Sequence, residues 1–356
     1  MNPFTLRQQT ILPVTMSEAW ELVSQTSKVN HAIGLPPINY TEQTINGKIH
    51  VVGTAKQYGL TPRWIEHPFE WIEGQQFQVE REFLNIAPLR GFTGGTRLEH
   101  HTSVSTLVET FVTVYPANIG GYAMGRAIAQ RIVSGQAAFY ADLAQKLRTQ
   151  RHDYFPPPTR VQYNRQALQE GISRLRVRNL DPTIITKLEI LLQTGRDEDV
   201  AQIQPFTLAD TWQTDRMETL RVFLYATADG LLDLNWEVLC PNCRVSKASS
   251  HTLRDLQATA HCEVCNIRYD ANFDDYVELR FSVNPTIRYA SNTMFCALGS
   301  PALNQHIVAQ QRLKPNEARS LSVSLVAGGY RIRMLGSEQR CSVQVNDDVE
   351  SGSLNV

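Results

Sequence analysis

Four cysteines fall into two identical pairs, Cys240-Pro-Asn-Cys243 and Cys262-Glu-Val-Cys265, with eighteen residues between the pairs. A C-x2-C turn points two thiolates at one spot, and two such turns at this separation can surround a tetrahedral ion with four sulfurs. All four coordination positions are then filled by protein, so the metal holds structure and has no open position for chemistry. The expected cofactor is therefore a structural zinc ion held by Cys240, Cys243, Cys262 and Cys265 in a zinc ribbon. A redox dithiol would account for one pair but not for two at this spacing. Disulfides require an oxidising compartment, which nothing else in the sequence suggests. His261 precedes Cys262 and could substitute for it as a ligand, but two complete C-x2-C pairs make that unnecessary.

Other groupings carry less chemistry. His67-Pro68-Phe69-Glu70-Trp71 holds a base and an acid, but the proline favours a turn anchored by Phe69 and Trp71. His100 and His101 are neighbours on a strand, so they face opposite sides and cannot share an ion locally. There is no G-x-S-x-G nucleophile turn and no G-x-x-x-x-G-K-[ST] phosphate loop. Gly91-Phe92-Thr93-Gly94-Gly95 reads as a hairpin tip. No residue is assigned a catalytic role.

The 356 residues suffice for two or three domains. Lys and Arg total 34 against 35 Asp and Glu, so no global field favours nucleic acid or an anionic membrane. No signal core begins the sequence and no apolar run reaches the length of a membrane span. A soluble cytoplasmic protein is expected, with Cys296 and Cys341 as small buried hydrophobes.

The elements that must position these groups fall into successive regions. Over residues 1–153, Phe4–Leu12 predicts a strand and Ser17 a cap for a helix reaching Val23. The Gly34-Leu35-Pro36-Pro37 stop follows, then strands over Ile38–Ile45, 48–58, 77–84 and 97–115, with Asn46-Gly47 as a hairpin turn. From 119 to 147 the period becomes helical, with Ile128, Ile132, Phe139, Leu143 and Leu147 on one face, while Gly120, Gly121, Gly125 and Gly135 allow close approach of a neighbouring surface. Pro156-Pro157-Pro158 stiffen a linker at 154–160. Residues 161–236 read as helices, with Asp181-Pro182 starting one of them, and a short strand pair in a winged-helix-like unit. The zinc ribbon spans 237–275. Alternation over Val277–Val283, 321–326 and 330–335, with a turn at Gly328-Gly329, predicts a small β-sandwich at 276–345. Residues 346–356 are a polar tail or linker. The class is α+β multidomain.

Eight Lys or Arg between Lys146 and Arg178 raise the question of nucleic acid. The helix 216–228 offers only Arg216 and Arg221 as cations, and its apolar content suits burial. Nucleic acid is therefore not the expected partner.

The element order of the first 150 residues resembles the SRPBCC (START/Bet v 1-like) superfamily. That resemblance implies a helix-grip fold, a curved sheet around a final helix, with a hydrophobic small molecule as candidate ligand. The segments 30–37 (NHAIGLPP), 67–71 (HPFEW), Pro205–Trp212 (PFTLADTW), 230–236 (GLLDLNW), 240–244 (CPNCR) and 261–266 (HCEVCN) occur in this order. Together they resemble the amino-terminal half of a family of bacterial multidomain adenylate/guanylate cyclases. The resemblance implies a regulatory region acting on a class III cyclase catalytic domain, in cis or in trans, with a homodimer compatible with such a role. Class III catalysis needs two aspartates for its metal ions, in a motif resembling F-T-D-[LI]-x-G-[SF], and nothing after Leu335 supplies it. This polypeptide is not expected to make cyclic nucleotide by itself. A zinc-ribbon/winged-helix transcription regulator with a ligand-binding domain, and a stand-alone SRPBCC ligand-binding protein or small enzyme, are the alternatives.

Overall fold

The computed structural model describes residues 1–56, 59–151, 154–155, 161–241, 246–256, 259–262, 267–270, 276–290, 301–304, 306–334 and 340–346. Two units emerge, one of Met1–Tyr154, Cys262–Ile267 and Phe295–Val356, the other of Phe155–His261 and Arg268–Met294.

In the first unit the alternating segment FTLRQQTIL forms β1 (Phe4–Leu12). Helix α1 (Met16–Val23) is capped by Thr15 rather than Ser17. The Glu18 amide donates to the Thr15 hydroxyl while the Glu18 carboxylate accepts from the Thr15 amide, a reciprocal arrangement open only to a residue three before the glutamate. After α2 (Thr26–Ala32), Gly34 takes φ +71°, and the two prolines that follow stop the helix. Asn46 and Gly47, at φ 52° and 75°, turn β2 (Ile38–Ile45) into β3 (Lys48–Ala55). The remaining elements are β4 (Arg63–Glu66), β5 (Glu70–Ile72), β6 (Gln76–Phe83), β7 (Leu89–Thr102), β8 (Ser105–Pro116) and the 30-residue α3 (Ile119–Arg148). The antiparallel main path runs β1-β8-β7-β6-β4-β3-β2. Helix α3 lies along β1 and β8. This is the helix-grip arrangement that the element order implied.

The buried stripe of α3 differs from the expected one in its first half. Gly121, Gly125, Ala129 and Val133 face the sheet, whereas Ile128 is 39 % exposed. A Cβ on Gly121 would lie 1.7 Å from the Pro88 carbonyl oxygen, and one on Gly125 2.4 Å from Val114. Small residues four apart let the backbone settle on the sheet, which turns Ile128 outward and leaves Ile132 at the edge of the buried stripe. Phe139, Tyr140, Leu143 and Ala144 bury the second half.

In the second unit α4 (Arg165–Arg176), α5 (Pro182–Thr194), α6 (Asp197–Ala201), α7 (Pro205–Trp212) and α8 (Arg216–Ala228) precede β9 (Leu232–Leu239), β10 (Ser246–Ser250) and β13 (Val277–Val283); β11 (Thr259–Cys262) and β12 (Ile267–Asp270) fall in it except for Cys262 and Ile267. Asn164, Asp181 and Asp215 cap α4, α5 and α8 through their side chains. Leu168, Ile172, Leu175, Ile184, Leu188, Val222, Phe223 and Phe281 form one core. The sheet order is β10-β9-β13, and β11 pairs with β12.

Val277–Val283 therefore pairs with β9, away from the other alternating segments. Residues 321–326 form no strand. β14 (Ala309–Gln310) joins β5, and β15 (Gly328–Arg333) pairs with β16 (Arg340–Val345). The alternating Cys341, Val343 and Val345 stand opposite Ile332, Tyr330 and Gly328, giving β15 a partner that residues 321–326 were expected to provide. The segments assigned to a single β-sandwich are thus distributed over three sheets. The prolines at 156–158 and the tail at 347–356 lie outside the described residues.

Candidate functional site

The face of the sheet that meets α3 is fixed by register. Val114 packs with Ala129 and Val133 of α3. Across the strands, Phe4 pairs with Val114, Val114 with Phe92, Phe92 with Arg81, and Arg81 with Glu66. Residues paired across strands share a face, so this row carries an arginine and a glutamate onto the α3-facing, mainly apolar side.

Arg81 and Glu66 form a bidentate ion pair, Nε to Oε2 at 2.7 Å and Nη2 to Oε1 at 3.2 Å. The Trp64 indole N–H donates to Oε2 at 2.5 Å, and the Tyr40 hydroxyl to Oε1 at 3.4 Å. Four donors thus offset the desolvation of one carboxylate whose side chain is 3 % exposed. The guanidinium also stacks 5.3 Å from the Trp64 ring and 5.4 Å from Phe92, while Phe83 meets both rings. A saturated carboxylate is poorly suited to act as a base. What the cluster provides is a fixed polar spot in an aromatic wall.

Around it, Phe4, Leu6, Phe83, Ile86, Phe92 and Ile132 are only partly buried against Leu89, Val112, Val114, Ala129 and Val133. Apolar surface is accessible beside α3. Further along the helix, burial pushes the Tyr140 phenol far above its ordinary range. Tyr140 is accordingly a neutral hydroxyl. Sequence reasoning assigned none of these residues. The legible signal is in QFQVEREF, where Phe77, Val79 and Phe83 share one side of β6 and Arg81 interrupts them.

The structure does not join His67 to Glu70. His67 lies 3.7 Å from Glu82, while Glu70 accepts from Gln78 and Arg319. Burial and then Arg312 lower the His67 pKa, against Glu80 and Glu82. Phe69 and Trp71 are buried, as the anchoring reading expected. His100 and His101 are both exposed near the end of β7.

Of the four cysteines expected to hold zinc, Cys240 directly follows β9 and Cys262 ends β11. Cys240 and Cys262 are fully buried; Cys243 and Cys265 lie outside the described residues. By ligand type, four thiols would suit zinc.

The arginines that suggested nucleic acid are engaged within the second unit. Arg178 is bidentate on Asp229, Arg174 donates to the Asp229 carbonyl, and Arg176 pairs with Glu189. Arg216 pairs with Asp210 and Arg221 with Glu218. Helix α8 buries Thr219, Val222, Phe223 and Ala226, as its apolar content predicted. Among the described residues, no helix is long and apolar enough to cross a membrane.

Residues 166–295 match the model of a family of unknown function (DUF5939). No curated protein matches the chain. Among solved structures, Ara h 8.0201 is similar at 14% identity, covering 40% of this chain and 99% of that one, with a TM-score of 0.29. The ZhuI aromatase/cyclase from Streptomyces sp. R1128 is similar at 9% identity over 41% and 95%, with a TM-score of 0.32. Norcoclaurine synthase from Thalictrum flavum is similar at 5% identity over 39% and 87%, with a TM-score of 0.29.

Proposed function

We propose that this chain is the sensory or regulatory region of a bacterial adenylate/guanylate cyclase, and that its helix-grip fold binds a hydrophobic or aromatic small molecule beside α3. The ordered motifs from residue 30 to residue 266 support the cyclase connection. The Glu66–Arg81 pair, set among partly buried aromatic rings, supports the ligand reading. An apolar ligand would cover Phe83 and Phe92 while its polar end met the cluster at Arg81 and Tyr40. Binding could regulate a catalytic domain only if the ligand favours one of two states of the chain. The pairing of two catalytic domains is the step on which it would act.

Two measurements test this. Native mass spectrometry of the purified protein, followed by titration with the apolar probe 1-anilinonaphthalene-8-sulfonate, should reveal a bound small molecule or a saturable apolar site. The site should be weakened about tenfold by Phe92→Ala, a loss of about 1.4 kcal/mol. Cyclase activity of the chain joined to a class III catalytic domain should change with ligand. Equal activity with and without a ligand shown to be bound would refute the regulatory reading.

Cys240, Cys243, Cys262 and Cys265 are proposed to hold one structural zinc per chain. Elemental analysis should find one ion per polypeptide. Cys243→Ser should unfold the surrounding strands, because structural zinc contributes on the order of 10–16 kcal/mol in small zinc domains. A fully folded, metal-free wild type would contradict the assignment.

A further inference from the structure

The opposite face of the same sheet carries a cleft of about 260 Å³ that no part of the reading above uses. Register builds it. Arg7, Phe111, Gly95, Gln78 and Glu70 form one row across β1, β8, β7, β6 and β5. Thr113, Thr93 and Glu80 form the next. A Cβ at Gly95 would lie 2.7 Å from the Phe111 ring. The glycine therefore makes room for the Phe111 ring, which floors the hollow.

The chain returns along one side of this hollow. The Trp71 indole donates to the Ile307 carbonyl, Gln310 donates to the Phe69 carbonyl, and β14 pairs with β5. This brings Arg312, Lys314 and Arg319 to the cleft wall, facing Arg7 and Arg97. Five cationic side chains line the space with two carboxylates, Glu70 and Glu80. Glu109 and Glu317 hold Arg7 and Arg319 from outside the lining. Counting them, the balance is five to four, so a diffuse positive field is not the main feature. The cations instead divide by occupancy. Arg312 is paired with Glu80 and Arg319 with Glu70. Arg97 reaches Glu109 only at 3.8 Å, with its guanidinium 4.9 Å from the Phe111 ring centre. The Lys314 ammonium makes no direct ion pair among the described residues; its nearest acidic influence is Glu317, which takes the Lys314 backbone N–H and pairs with Arg319. The hydroxyls of Thr93, Tyr115 and Thr113 line the same space.

We propose that this cleft binds a small polyanion, a phosphate-bearing or polycarboxylate molecule with at least two negative charges. The anion would take N–H donors of Arg97 and Lys314 that the surrounding carboxylates leave unused, with hydroxyl donors beneath it. Arg97 belongs to the sheet and Lys314 to the returning segment, so the anion bridges the two. The volume is below that of an ordinary drug-sized pocket, which favours a compact anion. The site is independent of the α3-facing ligand reading, and either can fail without the other.

The test is calorimetric titration of the full chain with inorganic pyrophosphate and, separately, citrate, alongside thermal unfolding at matched ionic strength. Saturable binding of at least one anion is expected, with a raised Tm that sodium chloride does not reproduce. Binding by pyrophosphate alone identifies the phosphate class, and binding by citrate alone the polycarboxylate class. Arg97→Gln and Lys314→Gln should each weaken binding about tenfold, the cost of about 1.4 kcal/mol in a charged contact. Both side chains are substantially solvent-accessible or unpaired, and circular dichroism should show both variants folded. No binding by either anion, a Tm rise equalled by chloride, or unchanged affinity in both folded variants would overturn the proposal.

Discussion

The two faces of the large sheet solve opposite problems with the same strand alternation. Toward α3, one ion pair is surrounded by aromatic rings, and four donors converge on the Glu66 carboxylate. On the other face, cations and carboxylates interleave under partial solvent, and Glu109 serves Arg7 and Arg97 together at 3.2 and 3.8 Å. Buried charge must be saturated, because water cannot replace a missing partner. Exposed charge can be shared loosely, since solvent screens each pair. The first face is thereby rigid, and the second retains donors for a ligand.

The largest expected effect comes from halving the buried pair. Glu66→Leu should destabilise the first unit by about 3–5 kcal/mol, since it leaves the Arg81 guanidinium among Trp64 and Phe92 without its carboxylate. Adding Arg81→Met should recover much of that loss in a chemical-denaturation series. If the double variant were as unstable as the single one, the contrast between the faces would not lie in charge saturation. Next in size is Gly125→Val, which drives two branches into Val114 and should cost about 1–3 kcal/mol or shift α3 outward. Unchanged stability there would mean that α3 is not held against the sheet. On the outer face, Glu109→Gln should change stability by less than about 1 kcal/mol, measured by the same method. A loss as large as that of Glu66→Leu would erase the distinction.

The smallest effect is a pH dependence on His67. Its folded pKa is below 6.5, so the unfolded chain binds the proton first as pH falls. Stability from this group is present above pH 6.5 and declines below it, until the folded histidine also protonates. His67→Gln should flatten that part of the unfolding profile. An identical pH profile in the variant would assign the dependence elsewhere.

Much of the architecture was legible. The strand alternation of Phe4–Leu12, the Asn46-Gly47 turn and the Asp181-Pro182 start of α5 are local signals, and each was realised. The cap of α1 was misplaced by two residues, since the reciprocal Thr15–Glu18 bonds compete with the simpler choice of Ser17. The close approach allowed by the α3 glycines was legible, and Gly121 and Gly125 make it against Pro88 and Val114; the expected apolar face departs at Ile128, which periodicity weighs above glycine. The polar cluster went unread for a different reason. Glu66 and Arg81 are fifteen residues apart on separate strands, and only register unites them.

What the sequence determined by itself was local and periodic, namely strands, turns and caps; it also supplied the motifs behind the proposed zinc site and the proposed cyclase connection. Tertiary structure decided which strand each alternating segment joined, sending Val277–Val283 to β9 and Ala309–Gln310 to β5. It also decided that Arg81 would face Glu66 and that Arg97 and Lys314 would share a cleft. The physical reason is that alternation specifies only that a strand has two faces. Its neighbours, and hence the chemistry on each face, are set by long-range pairing and packing.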